Sequence, residues 1–161
     1  MSYERQFEAL AAPLPPEPTV PANILLARQS GNLLTLSGYG PFLGTDVAPY
    51  GRGKLGLNRS IEEGQAAARL TAINLLLIVR QQIRSLDYVV NLVAVEGFVN
   101  CTDTFTDQPS VMNGCSDFLV SVFGPAGRHT RSAIGTNSLA YGICVEISLS
   151  LIVRLRTGDE A

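Results

Sequence analysis

His129-Thr130-Arg131-Ser132-Ala133-Ile134-Gly135, a polar connection, then Gly142-Ile143-Cys144-Val145-Glu146-Ile147-Ser148-Leu149-Ser150-Leu151-Ile152-Val153: the reading of this stretch decides the fold. Both arms read as strands. In the second, Ile143, Val145, Ile147, Leu149, Leu151 and Val153 alternate with Cys144, Glu146, Ser148 and Ser150, the period of a strand with one face in a core. The other face carries small residues and one carboxylate. It suits neither a dry core nor a wet surface, but it does suit a subunit contact or a ligand site. On the first arm, His129, Arg131 and Ala133 share a face, and Arg131 and Glu146 are expected on neighbouring strands. Two readings of that pair stand: a structural ion pair, or an anion-binding arginine beside a general acid or base.

Working outward, two further strands, 25–29 and 33–37, flank a Ser30-Gly31-Asn32 turn and make a hairpin ending at Gly38. Residues 39–58 are a long loop, broken by Gly40, Gly44, Gly51, Gly53 and Gly56; loops of this length are often functional. Gly51-Arg52-Gly53-Lys54 lacks the Walker spacing and is no phosphate cradle. Ser60 and Glu63 form a capping box for a helix reaching Arg84, with Leu70, Ile73 and Leu77 on its apolar stripe. A valine-rich strand over 88–99 is expected to be covered on both faces. Asp107 and Pro109 open a second helix, which faces inward through Met112, Cys115, Leu119 and Val122. Residues 2–11 suit a short helix, and Leu14 to Pro18 an extended arm that is either a flexible leader or a strap on a neighbour. The core order β-β-α-β-α-β-β describes an α+β fold with a mixed sheet and two helices on one face.

At 161 residues the chain is long enough for one well-filled domain. Charged residues make up only 16% and hydrophobic ones 46%, with a mean hydropathy of +0.20, so apolar surface is expected to be covered by more protein. The net charge of −2 supplies no field for nucleic acid, and no nucleic-acid partner is expected. Cys101, Cys115 and Cys144 are odd in number and match no zinc or disulfide spacing. With one histidine in the chain, no metal site is expected, and a reducing, cytoplasmic setting is. No apolar run reaches membrane-spanning length, and the polar Met1-to-Gln6 start does not read as a secretion signal.

The order of elements, the Ser37-Gly38 strand end, Asn74, Asn113 and the Arg131-Ser132 … Val145-Glu146-Ile147 ending together resemble the reactive intermediate deaminase superfamily, of YjgF or RidA type. The resemblance runs over roughly residues 24–154. It implies a chorismate-mutase-like fold and a homotrimer around a central barrel, with clefts between subunits. It divides the chain into an N-terminal extension (1–22), a single domain (23–155) and a C-terminal tail (156–161). It also implies cofactor-independent hydrolysis of 2-imino and 2-enamino acids to 2-ketoacids and ammonia. Carried across, Arg131 holds the substrate carboxylate, Glu146 handles water and protons, and Asn113, Ser37 and Gly38 line the cleft, with Ala133 and Cys144 as further lining. Two departures stand out: Asn23-Ile24 replaces the usual cleft aromatic, and Ala133 replaces the usual cysteine. The alternatives are a module that senses a small carboxylate metabolite without catalysis and, more distantly, an endoribonuclease.

Overall fold

The structure, a computed structural model, describes residues 2–19 and 23–155. The expected tail, 156–161, lies outside the described residues. The elements are α1 (Tyr3–Ala11), β1 (Ala27–Ser30), β2 (Leu33–Leu36), β3 (Phe42–Leu43), β4 (Asp46–Val47), α2 (Ile61–Ile83), β5 (Val89–Asn100), α3 (Gln108–Phe123), β6 (Thr130–Thr136) and β7 (Val145–Val153). Five strands form one mixed sheet in the order β1-β2-β7-β5-β6. Only β5 and β6 run parallel, because α3 carries the chain across between them; the other pairs are antiparallel.

β7 follows the alternation read from its sequence. Val145, Ile147, Leu149, Leu151 and Val153 are buried, while Glu146, Ser148, Ser150 and Ile152 between them are half-buried. The buried face meets α2 and α3. The capping box of α2 is present: Glu63 N donates to Ser60 Oγ at 3.1 Å, and Ser60 N to Glu63 Oε2 at 2.9 Å. From Thr71 to Val79 every residue of α2 is buried, more than a two-layer fold requires. α1 folds back on its own chain, packing on α3 and reaching the Arg80 end of α2. Phe7 is fully buried against Phe118, with ring centroids 6.4 Å apart, and Tyr3 meets Phe123 at 5.0 Å. Arg80 sits among Glu4, Glu8 and Glu17 at 3.2, 3.8 and 3.9 Å. Residues 3–11 are the short helix expected there, and they form a further layer of the same chain.

Three expectations need correction. The sheet does not close into a barrel: it is open, with β1 and β6 as its two edges. Helices fill one face, and an edge strand of four residues gives too little length and coiling for five strands to meet. Next, Arg131 and Glu146 do not lie on neighbouring strands, because β5 runs between β6 and β7. Finally, β5 is covered on one face only, since Val90 and Val93 are 43% and 37% exposed.

The 39–58 loop contains the small β3–β4 hairpin and is tied down along its length. Tyr39 pairs with Ile147 in both directions, each bond at 3.0 Å. Asn74, buried in α2, donates Nδ2 to the carbonyls of Gly40 and Phe42 at 3.1 and 2.9 Å. Lys54 Nζ donates to the carbonyls of Cys101 and Asn137 at 3.2 and 2.5 Å. These bonds satisfy backbone groups that a long loop would otherwise leave bare.

Candidate functional site

Arg131 lies on β6 opposite Val95, and Val95 is buried against the helices, so the arginine faces the helical layer. Its Nη1 donates to Asn113 Oδ1 at 2.9 Å and to Ser116 Oγ at 3.1 Å. Asn113 and Ser116 are one turn apart on α3, which puts both on one side of the helix. Ser116 Oγ is 3.0 Å from His129 Nε2, and His129 Nδ1 is 2.7 Å from the Gly127 carbonyl. A carbonyl can only accept, so Nδ1 carries a proton; in the neutral imidazole Nε2 then accepts from the serine hydroxyl. The hydroxyl oxygen in turn accepts from Arg131. This chain orients one edge of the guanidinium and leaves the rest of the fork available for an anion. Ala133, two residues further along the same strand, is half-buried and packs on the core.

Glu146 belongs to a second constellation. It pairs in register with Phe98 on β5, three residues along from Val95, so it projects from the opposite face of the sheet to Arg131. Its side chain lies across Gly38: a Cβ there would stand 3.1 Å from Glu146 Cδ, 3.2 Å from Cγ, and well inside contact of Oε1. Gly38 thus makes room for the carboxylate, and the Tyr39–Ile147 pairing holds it in place. Ser37 is engaged elsewhere, its Oγ donating to the Leu25 carbonyl at 2.6 Å. Glu146 borders a pocket of about 400 Å³, also walled by Gly38, Tyr39, Phe42, Tyr141 and Ile143.

Within one chain, then, Arg131 meets Asn113, and Glu146 meets Gly38 beside Ser37, but the two groups do not meet. Cys144 is fully buried and its Sγ lies 3.8 Å from the Tyr50 carbonyl, away from the pocket lining. Burial pushes its thiol up to about 11, against a partial pull downward from its own backbone and Arg59. Burial likewise pushes Cys115 up to about 12, opposed by the Arg131 charge. Neither is a ready nucleophile. Among the described residues no group of three or more His, Cys, Asp or Glu side chains is placed to hold a metal ion. No helix among them is long and apolar enough to cross a membrane.

Sequence reading placed His129 on the Arg131 face but missed Ser116 altogether. The i, i+3 spacing of Asn113 and Ser116 was the available signal. It also missed Tyr39, Phe42 and Tyr141, which supply the aromatic wall that Asn23-Ile24 lacks.

The profile of a family described as "YjgF/chorismate_mutase-like, putative endoribonuclease" matches residues 19–152. Protein TCP17 of Trypanosoma cruzi is 40% identical over 119 residues, 73% of each chain. The crystal structure of Atu1372 from Agrobacterium tumefaciens, a protein of unknown function, superposes with a TM-score of 0.86 at 31% identity, covering 94% of this chain and 92% of that one. A Shewanella oneidensis MR-1 protein given the same endoribonuclease description superposes at 0.88 with 25% identity, covering 95% and 100%. RidA from an Antarctic Psychrobacter shares the fold, with a TM-score of 0.57, 18% identity and coverage of 85% and 94%. With the profile spanning most of the chain and the α+β fold shared with these structures, the protein belongs to the YjgF/RidA superfamily.

Proposed function

We propose that the protein hydrolyses reactive 2-imino and 2-enamino acids to 2-ketoacids and ammonia, without a cofactor, in clefts between copies of itself. The observation that carries this is the division of the site. One face of the sheet presents a braced arginine with open donors, and the opposite face a carboxylate beside a pocket. Neither half can bind and hydrolyse an imino acid alone; a second copy brings one to the other. The uncovered sheet face, with Val90, Val93 and Ile134 at 43%, 37% and 50% exposure, supports self-association. We take the assembly to be a homotrimer, the domain to be 23–155 behind a 1–22 extension, and the setting to be the cytoplasm, in keeping with three free thiols.

In this reading the Arg131 fork grips the substrate carboxylate and Asn113 keeps the fork in plane. Glu146 takes a proton from water as its oxygen attacks the C=N carbon, then returns the proton to nitrogen. The resulting carbinolamine expels ammonia and leaves the ketoacid. A C=N carbon is electrophilic once its nitrogen is protonated, and this chemistry is within reach of side chains alone.

Glu146→Gln tests it. Ammonia release from freshly generated 2-aminoacrylate should fall by about 10²–10⁴-fold, the range a general acid–base group supplies, while 2-ketoacid binding survives. Wild-type protein that binds 2-ketoacids but hydrolyses no imino acid would instead support a metabolite sensor. Mixing Arg131→Ala with Glu146→Gln protein after subunit exchange should restore roughly a quarter of the sites, the random chance that two intact halves meet. No restoration would refute a shared cleft.

A further inference from the structure

A second pocket, of about 280 Å³, lies between α2, the end of α1 and the β3–β4 hairpin, and is bordered by neither Arg131 nor Glu146. Ala66, Leu70 and Ile73 recur at helical spacing and line one side of α2. Pro13 and Pro15, from the arm after α1, and Leu43, from β3, complete the apolar walls. Only two polar side chains reach the lining, Arg69 and Tyr50. Among the described residues it holds no Asp, Glu, Lys or His.

Both polar groups are placed before a ligand arrives. Arg69 Nη2 donates at 2.6 Å to the Leu10 carbonyl, one of those that the end of α1 leaves without a helical partner. The guanidinium also sits over the Phe118 ring, 4.8 Å from its centroid. These contacts hold it, yet among the described residues no carboxylate pairs with it. Tyr50 is half-buried, and among the described residues its hydroxyl has no hydrogen-bond partner. Burial raises that hydroxyl above its ordinary value and the nearby Arg69 charge pulls it down, so the two groups act on the same space. An unneutralised cation and an open donor in an apolar lining favour an anion with an apolar body.

We infer that this pocket is an effector site for a small aliphatic monocarboxylate, held by Arg69 and Tyr50, whose binding acts on the Glu146 pocket through the β3–β4 hairpin. A phosphate group needs more donors than one fork and one hydroxyl. A zwitterion would set its ammonium among Pro and Leu side chains with no acceptor. The coupling follows from the strand period. Phe42 and Leu43 are neighbours on β3, so their side chains leave on opposite sides: Leu43 walls this pocket and Phe42 walls the one beside Glu146. The arm runs the same way. Pro16 lies close over the hairpin turn, where a Cβ on Gly44 would stand 3.5 Å from Pro16 Cβ, and Thr19 at the arm's end lines the Glu146 pocket. A ligand that parts the arm from α2 therefore moves a wall that both pockets share. The binding stands by itself; its effect on turnover rests on the hydrolase reading.

Arg131 also attracts carboxylates, so the titration uses the full chain carrying Arg131→Ala, followed by amide and methyl NMR. The probe is isocaproate, set against the neutral isocaproamide. Isocaproate should bind roughly 5–30-fold more tightly than the amide, the range a hydrogen-bonded charge supplies. It should shift the resonances of Ala66 and Leu43 and, across the hairpin, those of Phe42 and Tyr39. Ala66→Leu, at an exposed helix position, should fill the pocket and abolish binding with the melting temperature unchanged. Tyr50→Phe should weaken binding roughly 3–10-fold. Equal binding of acid and amide, no binding, or binding that survives Ala66→Leu would overturn the site. Shifts that stop at Leu43 and leave Phe42 and Tyr39 unmoved would overturn the coupling. None of these readouts uses turnover, so the two readings fail separately. A chain that hydrolyses imino acids but binds no isocaproate loses the effector site alone, and one that binds it but hydrolyses none loses the hydrolase alone.

Discussion

Gly38→Ala moves Glu146 without removing it. The added methyl would stand 3.1 Å from Glu146 Cδ and 3.2 Å from Cγ, and closer still to Oε1. The atoms met belong to the far end of a flexible side chain, so the carboxylate rotates away and the backbone stays where it is. Gly38 is not among the residues at positive φ, so alanine fits the local backbone. Replacing glycine in such a conformation stabilises by about 0.4–1 kcal/mol through the unfolded state, which offsets the cost of rotating Glu146. Net stability should therefore stay within about 1 kcal/mol of wild type in urea unfolding. Activity should not. A general acid–base group displaced by an ångström or so should lower imino-acid hydrolysis by about 10²-fold, with 2-ketoacid binding largely kept. Gly38→Ala protein with wild-type turnover would refute the reasoning: either Glu146 does no proton transfer, or its position over Gly38 is irrelevant to the reaction. Loss of stability beyond about 2 kcal/mol would refute the claim that only the side chain yields.

Gly114→Ala should behave in the opposite way, because its Cβ would fall 2.7 Å from the backbone carbonyl carbon of Gln65 where α3 crosses α2. With no flexible atom to yield, we expect a loss of about 3 kcal/mol in urea unfolding, at the upper end of the range of core overpacking. Arg131→Ala should weaken 2-ketoacid binding by about 2–5 kcal/mol by calorimetry, and Arg131→Lys should recover little, since an ammonium offers no planar fork to both Asn113 and the ligand. Alkaline stability follows from the buried thiols, raised from 9.0 to about 12 at Cys115 and about 11 at Cys144. Their contribution is intact below pH 9; above it the unfolded thiols ionise while the folded ones stay protonated, so the urea midpoint should fall as pH rises from 9 towards 12, and less steeply in Cys115→Ala. Ser148→Arg puts a long side chain on the uncovered sheet face, in place of a hydroxyl that donates to Glu96 Oε2 at 3.3 Å, and its bulk should reduce the mass seen by light scattering; an unchanged mass would rule that face out as the contact between copies.

Legibility of the site divided along the sheet. Arg131 and Glu146 both stood out as charges set among small residues, and each sits in a polar or pocket environment. The relation between them was not legible. Two arms joined by a short connection suggest a hairpin, but the strand between them, β5, comes from thirty residues or more upstream in the chain. Similarly, Tyr39, Phe42 and Tyr141 lie about a hundred residues apart in part, with no periodicity to join them.

What the sequence determined by itself is the local grammar. The period-two alternation of β7, the Ser60–Glu63 capping box, the inward stripe of α3 and the α+β order are written in neighbouring residues, because side-chain direction repeats every 2 or 3.6 residues. Tertiary structure alone decided which strands are adjacent, that the sheet stays open, that α1 packs on α3, and that Arg131 and Glu146 look out from opposite faces. Those outcomes depend on contacts between distant segments. They are settled by how apolar faces can be buried together in three dimensions, which no local pattern records.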